Sequence, residues 1–159
     1  MKYTLQQLGE LGLGSRLNRL SEYLMKETQV IYNTLGIDFD PYLFPIFKII
    51  ADQNNTTTST IQEQLQYTQP AITQAIKKLL TKGLIKFRID KTDKRKKLFR
   101  LSQKGKETHL QLVPVWSVID THVKWLTEGS SNSLTRHLTH FENQLKEKAL
   151  SQRILENLK

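Results

Sequence analysis

Apolar side chains recur at helical spacing near the start of the chain. Between residues 13 and 35 they stand mostly three or four positions apart, which predicts one helix with a buried stripe that ends at Gly36. The stripe consists of Leu13, Leu17, Leu20, Leu24, Ile31 and Leu35. Asp40 before Pro41 is typical of a helix start, and the next residues are apolar almost all round. We therefore expect a central core helix there, which Pro45 bends or delays.

Two short helices separated by a tight turn are predicted next. The polar run 54–58 interrupts the chain, and Thr57 is the expected N-cap of a helix over 59–66. Thr68 is the expected N-cap of a longer helix, which has Pro70 in its first turn and is closed by Gly83. Two short helices around such a turn form a candidate helix-turn-helix.

The pattern changes to strict alternation directly after this second helix, which predicts a β-strand. Ile85, Phe87 and Ile89 share one face of that strand, and basic residues occupy the other. A second strand over 98–101 places Phe99 and Leu101 on its buried face. The two strands make a β-hairpin with a polar and basic tip.

The C-terminal third is predicted to be helical. Ser102 is expected to cap a helix over 104–127 that is interrupted near Pro114, and residues 129–133 break the chain before a last helix. The apolar stripe of that last helix is regular enough to require a partner helix. Its residues are Leu134, Leu138, Phe141, Leu145, Ile154, Leu155 and Leu158. The fold class is therefore mainly α with a small β-hairpin (α+β).

Composition narrows the classes of function. A chain of 159 residues is about one domain, and the absence of cysteine excludes disulfides, thiolate metal sites, cysteine nucleophiles and thiol redox sensing. Since no apolar run reaches about 18 residues and no signal peptide is present, we expect a cytoplasmic protein with no membrane partner.

The net charge of +9 is concentrated in one segment. Residues 77–106 hold thirteen Lys or Arg and two acids, a formal charge of +11, whereas the rest of the chain carries −2. A basic face of this density attracts a polyanion and releases its counterions on binding, so nucleic acid is the first candidate partner. Taken alone, the charge favours nucleic acid only modestly, because lysine-rich faces also serve solubility or an anionic membrane.

The predicted second helix of the pair has the surface that DNA reading requires. Gln69, Thr73 and Gln74 are placed to reach base edges in the major groove, and Lys77 and Lys78 to hold the backbone. An ordinary amphipathic surface helix would show the same face, so the adjacent hairpin decides the interpretation. Its tip carries Lys91, Lys94, Arg95, Lys96 and Lys97. Cationic tips of this kind lie along phosphates or enter a narrow minor groove. Within the tip, Asp93 is expected to pair with Arg95 and to orient it.

Metal, cofactor and catalytic sites receive no support from the sequence. His137 and His140 lie three positions apart near Glu142, and His109 or His122 could join them from elsewhere in the chain. The sequence does not supply the roughly four ligands that a closed metal site needs. The N-terminal glycines follow no strand, so they form no phosphate-binding loop. We find no catalytic motif and expect neither an enzyme nor a cofactor.

A stretch that begins at Thr60 resembles the multiple-antibiotic-resistance regulator (MarR) family of winged-helix regulators. Its sequence is TIQEQLQYTQPAITQAIKKLLTKGLIKFRIDKTDKRKKLFRLSQKGKE. TQPAIT resembles the start of the family's recognition helix, KGLI its end, and DKTDKRKKLFRLSQKG its wing. The chain departs from the family at Gln66, where a turn glycine is usual, at Gln74, where a basic residue is common, and at Lys91 and Thr92, where Pro-Glu is frequent. These departures leave the predicted fold intact, but the operator sequence cannot be carried over from the family.

The resemblance implies a winged-helix lobe over 40–102 within a single domain of residues 1–159. It also implies a helical dimerisation region over 1–36 and 104–159, and an inverted-repeat DNA site. Arg95 becomes the expected minor-groove residue. The implied DNA-contacting residues are Thr68, Gln69, Pro70, Thr73, Gln74, Lys77, Lys78, Lys94, Arg95, Lys96 and Lys97. The implied dimer contacts are Leu13, Leu17, Leu134, Leu138, Phe141 and Leu145.

Members of the family commonly respond to small phenolic or lipophilic effectors. Aromatic residues that could line such a cleft are Tyr23, Phe47, His109 and Trp116, although core packing explains each of them better. The sequence thus predicts a ligand-responsive, homodimeric repressor that binds double-stranded DNA. The alternative is a winged-helix interaction module that docks an acidic protein partner.

Overall fold

The computed structural model describes residues 4–127 and 133–158. It is mainly helical with one antiparallel two-stranded hairpin, as the sequence predicts. In chain order the elements are a 3-10 helix (Leu5–Gly12), α1 (Leu13–Thr34), a short 3-10 helix (Pro41–Leu43), α2 (Phe44–Gln53), α3 (Thr58–Leu65), α4 (Gln69–Thr81), β1 (Ile85–Ile89), β2 (Lys97–Leu101), α5 (Gln103–Leu126), α6 (Ser133–Glu147) and α7 (Leu150–Asn157). The predicted break at 129–133 lies, except for Ser133, outside the described residues.

The chain divides into two compact units, Met1–Leu112 and Val113–Lys159. The first unit contains the whole segment from α2 to β2, together with the beginning of α5. All the elements predicted to meet DNA therefore belong to one unit. Within the described ranges, none of the helices combines the length and the hydropathy that crossing a membrane requires.

Helix α2 forms the centre of the first unit, as its apolar sequence predicts. Phe47 and Ile50 are completely buried, and the Phe47 ring lies 5.0 Å from that of Phe39, centroid to centroid. Asp40 caps the short 3-10 helix before α2, because its Oδ1 accepts a hydrogen bond from the Tyr42 N–H. Pro45 falls in the first turn of α2, where no backbone donor is needed, so it delays the α-helix.

The apolar stripe of α1 differs from the expectation of a buried face. Leu17, Leu20 and Leu24 keep 37%, 47% and 43% of their surface exposed in the single chain, whereas Tyr32 is buried. The spacing was predicted correctly, but spacing identifies only which side chains share a face. It does not show whether the same chain covers them.

The C-terminal helices correct two further predictions. Helix α5 continues through Pro114 without a break, since a long helix tolerates the loss of one backbone hydrogen bond. The predicted last helix is instead two helices, and Ala149 between them has an extended ψ of 143°. Arg153 stabilises the end of α6, because it donates to the carbonyl oxygens of Gln144 at 2.8 Å and Lys148 at 3.1 Å.

The beginning of α5 is anchored on the residues before β1. Ser102 donates its hydroxyl proton to the Gly83 carbonyl and accepts a hydrogen bond from the Gly105 N–H, which confirms it as the cap of α5. Gly105 packs against the Leu84 backbone so closely that a Cβ there would lie 1.8 Å from the Leu84 oxygen. Only glycine allows this contact.

Candidate nucleic-acid interface

Helices α3 and α4 are fixed by the caps that the sequence predicts. The Thr57 hydroxyl accepts from the Thr60 N–H at 3.1 Å, and the Thr68 hydroxyl from the Ala71 N–H at 3.4 Å. Gln66 ends α3 in the left-handed conformation, with φ of 54°. Glycine adopts that conformation without a steric penalty, which explains why a glycine is usual at this turn in the family that the segment resembles.

The two faces of α4 divide as predicted. Ile72, Ile76 and Leu79 are buried and anchor the helix to the unit. The opposite side is solvent-exposed and carries the predicted base-reading and phosphate-contacting residues, namely Thr68, Gln69, Pro70, Thr73, Gln74, Lys77 and Lys78. The Thr73 hydroxyl donates to the Gln69 carbonyl at 2.9 Å, so Thr73 offers a ligand its oxygen lone pair and its methyl group.

Two acids before α2 hold lysines near the end of α4. The Lys78 Nζ lies 3.5 Å from Asp40 Oδ2, and the Lys82 Nζ lies 2.7 Å from Asp38 Oδ1. The hydrogen bond and the positive charge of Lys82 hold the pKa of Asp38 below its ordinary value. Lys78, a predicted DNA contact, is thus already paired with Asp40. The sequence contained no signal for this long-range ion pair. Gln74, Lys77 and Lys78 also line a cavity of about 470 Å³ along this side of α4.

The β-hairpin is buried only at its base. Ile85, Phe99 and Leu101 are buried, but Phe87 and Ile89 keep 42% and 45% of their surface exposed. The predicted apolar face therefore extends beyond the core that covers it. Phe99 also pairs through its backbone with Thr56, with N···O distances of 3.1 and 2.8 Å, which fixes the hairpin to the segment between α2 and α3.

The basic tip of the hairpin is an ordered loop. Asp90 Oδ1 accepts hydrogen bonds from the Thr92 hydroxyl, the Thr92 N–H and the Asp93 N–H, which lower the pKa of Asp90 to about 2. Asp93 Oδ1 lies 3.3 Å from the Arg95 Nε, which confirms the predicted pair. The Arg95 side chain remains 92% exposed, so the guanidinium is oriented but accessible.

The other predicted cations of the hairpin have different surroundings. Lys94 is exposed, and the Lys96 Nζ lies 4.0 Å from Asp93 Oδ2. The Lys97 Nζ lies 4.6 Å from the centroid of the Phe87 ring, in a cation–π contact. Lys94 and Arg95 are therefore the more available of the predicted wing residues.

Two of the four candidate effector residues, Phe47 and His109, pack against each other. Phe47 is completely buried, and its ring centroid lies 6.2 Å from that of His109. Burial, and then the charge of Lys48, lowers the pKa of His109. Tyr23 is 59% exposed on α1, and Trp116 belongs to the second unit. Core packing therefore accounts for Phe47, as the sequence already favoured.

The predicted dimer contacts on the C-terminal helices are accessible in the single chain. Leu134 and Phe141 keep 47% and 39% of their surface exposed. Leu13, Leu138 and Leu145 are half-buried. Across residues 4–127 and 133–158, no group of three or more histidines and acids is arranged to hold a metal ion.

Comparison with known proteins relates the chain to the MarR family. Residues 43–97, from the end of the short 3-10 helix to the start of β2, match the model of the MarR family. No curated protein matches the chain. Among solved structures, the chain is similar to a MarR family regulator from Neisseria meningitidis, with 22% identity, coverage of 95% of this chain and 98% of that one, and a TM-score of 0.62.

Two further structures show the same fold with a bound partner. The S. aureus MepR–DNA complex is 16% identical, covers 92% of this chain and 99% of its own, and has a TM-score of 0.65. PcaV from Streptomyces coelicolor, in complex with its natural ligand, is 17% identical, covers 92% of this chain and 98% of its own, and also has a TM-score of 0.65.

Proposed function

We propose that this chain is a winged-helix transcriptional regulator of the MarR family that binds an inverted-repeat site in duplex DNA as a homodimer. The observation that carries the proposal is the position of two surfaces within one compact unit. The exposed polar side of α4 and the cationic tip between β1 and β2 both belong to residues 1–112. Proteins of this family are regulators and not enzymes, which agrees with the expectation of a non-enzyme.

Helix α4 and the hairpin tip would have different tasks. Gln69 and Gln74 can bond bidentately to a base edge in the major groove, and Thr73 can accept a hydrogen bond or place its methyl group against a thymine methyl. Arg95 is oriented by Asp93 and exposed, which suits insertion into a narrow minor groove. The neutral residues of α4 thus select the sequence, and the tip supplies electrostatic affinity.

The homodimer is supported by apolar surface that the single chain leaves exposed. Leu17 on α1 and Leu134 and Phe141 on α6 are more than a third exposed, as are Ile154 and Leu155 on α7. Contact with a second copy would remove this surface from water, at about 25 cal/mol per Å². Two copies related by a two-fold axis would also match an inverted repeat, with half-site centres about one helical turn apart.

Selection of bound fragments from random duplex DNA tests the proposal. We expect an inverted repeat to be enriched, and its binding to weaken with salt by a log-log slope of about −0.9 per phosphate neutralised. The double variant Gln69→Ala, Gln74→Ala should lose base preference within each half-site but keep non-specific binding. The control, Gln111→Ala with Gln152→Ala, removes exposed glutamines from α5 and α7 and should select the wild-type sequence.

Three outcomes would count against the proposal. Undetectable or salt-independent binding to duplex DNA would reject DNA binding itself. An asymmetric selected site would reject the inverted repeat. Capture of an acidic protein that survives nuclease treatment, without any duplex binding, would favour the interaction module instead.

Repression and a response to a small phenolic or lipophilic effector stay predictions. PcaV is solved with its natural ligand, which supports the idea of an effector for this chain. Among the candidates, Phe47 and His109 are in ring contact, and the cavities described for the first unit are lined by other residues. Titration of the DNA complex with salicylate, as a simple phenolic probe, should release DNA if an effector site of this chemistry exists.

A further inference from the structure

A second cationic site lies away from the hairpin tip, and none of the predicted DNA contacts belongs to it. It is a cavity of about 380 Å³ in the first unit, where the turn after α2, the outward face of the hairpin and the first turns of α5 come together. Its charged lining residues are Lys86, Arg100 and Lys106. Asn54, Asn55 and Gln103 add amide groups.

The three cations are exposed and are not neutralised by the protein. Lys86 and Arg100 are direct partners in the antiparallel register, so their side chains leave the hairpin on the same face. Like charges directly opposite each other destabilise a pair of strands. In the part of the chain that the structure describes, Lys86, Arg100 and Lys106 form no ion pair. No acidic residue lines the cavity.

One of the lining residues, Gln103, is hydrogen-bonded to the carboxylate of Glu107. The Gln103 amide donates to Glu107 Oε1 at 2.9 Å, and Glu107 does not line the cavity. Lys104 is also directed elsewhere, because its Nζ donates to the Lys82 carbonyl at 2.9 Å. The charge inside the cavity is therefore positive.

We propose that this cavity, lined by Lys86, Arg100 and Lys106, binds a phosphate oxyanion. A phosphate group carries up to two negative charges and accepts several hydrogen bonds, so one group can offset most of the charge of the three cations. Arg100 supplies a planar fork that matches two phosphate oxygens, and the lysines act as point charges. Asn54 and Asn55 add amide donors at the rim.

Two sources provide this chemistry, a DNA backbone phosphate and a free phosphorylated molecule. The first rests on the proposed function and would extend the DNA footprint beyond α4 and the tip. The second does not depend on DNA binding. Both require the same three cations, so one pair of variants tests them.

The site variant carries Lys86→Gln, Arg100→Gln and Lys106→Gln. The control carries Lys26→Gln, Arg136→Gln and Lys146→Gln, which removes the same charge from exposed residues of α1 and α6. The first arm is a calorimetric titration with inorganic phosphate. The wild type and the control should bind phosphate saturably, and the site variant should bind it at least about tenfold more weakly, because each charge-assisted bond is lost. Circular dichroism verifies that both variants are folded.

The second arm is the salt dependence of binding to a mixed-sequence DNA duplex. If the phosphate belongs to DNA, the log-log slope of the site variant should fall by about 0.9 per chain, and that of the control should not change. Phosphate binding in the first arm with no change of slope in the second identifies a free phosphorylated molecule as the ligand.

The inference is overturned if the site variant and the control behave alike in both arms. Should the wild type fail to bind duplex DNA at all, the proposed function fails. The titration with inorganic phosphate then still decides whether the site exists.

Discussion

The carboxylate of Asp93 lies 3.3 Å from the Nε of Arg95 and also accepts a hydrogen bond from the Arg95 backbone N–H at 3.0 Å. The arginine is held at its Nε edge, while its side chain stays 92% exposed. An arginine oriented in this way loses less conformational entropy when it enters a groove.

Replacing Arg95 with alanine should weaken binding to duplex DNA by about 1–3 kcal/mol. The log-log salt slope should decrease by about 0.9 if the residue neutralises one phosphate. Fluorescence anisotropy over a range of salt concentrations measures both quantities, with Lys26→Ala on α1 as a matched loss of charge. Unchanged affinity in a folded Arg95→Ala protein would show that the tip does not contact DNA.

Asp40 restrains a lysine that α4 would otherwise offer to DNA. Its Oδ2 lies 3.5 Å from the Lys78 Nζ, and its Oδ1 caps the following 3-10 helix. Asp40→Asn keeps the cap, since Asn caps as well as Asp, and removes the charge. We expect DNA affinity to rise several-fold, while the free energy of unfolding changes by less than about 1 kcal/mol because the pair is near the surface.

Asp52→Asn is the control for Asp40→Asn, because it removes the same charge from an ion pair with Lys48 on α2. It should not strengthen DNA binding. Equal effects of the two substitutions would mean that net charge, and not the release of Lys78, controls the affinity.

Gln66 occupies a backbone conformation that suits glycine. Its φ of 54° and ψ of 29° lie in the left-handed region, which is unfavourable for a side chain with a Cβ. Gln66→Gly should raise the free energy of unfolding by about 0.5–1 kcal/mol. This value is the backbone strain that glycine relieves minus the entropy that glycine loses on folding. Gln62→Gly within α3 should lower it by about 1 kcal/mol. Urea denaturation compares the two, and a destabilised Gln66→Gly protein would contradict the backbone geometry.

Gly105 should tolerate no side chain. A Cβ there would lie 1.8 Å from the Leu84 oxygen, so Gly105→Ala should lower the free energy of unfolding by about 3 kcal/mol or more. A Cβ on Gly14 in α1 would meet nothing within 4 Å, and Gly14→Ala should raise the free energy of unfolding by up to about 1 kcal/mol. Thermal unfolding of both variants checks the contrast. Similar midpoints would refute the close contact.

Local signals in the sequence predicted most of the first unit. Thr57, Thr68 and Ser102 each cap the helix expected of them, because a cap depends on a hydroxyl and a backbone N–H three residues later. The pairing of Asp93 with Arg95 was predictable for the same reason, since the two residues are neighbours in one loop.

Features that depend on distant residues were not predictable. The pairing of Asp38 with Lys82 joins positions 44 apart, and no periodicity connects them. Phe87 and Ile89 continue an apolar alternation past the point where the core covers it. The end of α6 carries neither glycine nor proline and depends on Arg153 reaching back to carbonyl oxygens. The cavity at Lys86 and Arg100 required the strand register and the position of α5 together.

The contact between Gly105 and Leu84 also has a mechanical consequence. Two packed side chains can change rotamer and absorb a small displacement, but two backbones in direct contact have no such freedom. A shift of the first turn of α5 must therefore move the Leu84 carbonyl, and with it the strand that begins at Ile85. We therefore expect the hairpin and the first turn of α5 to move together.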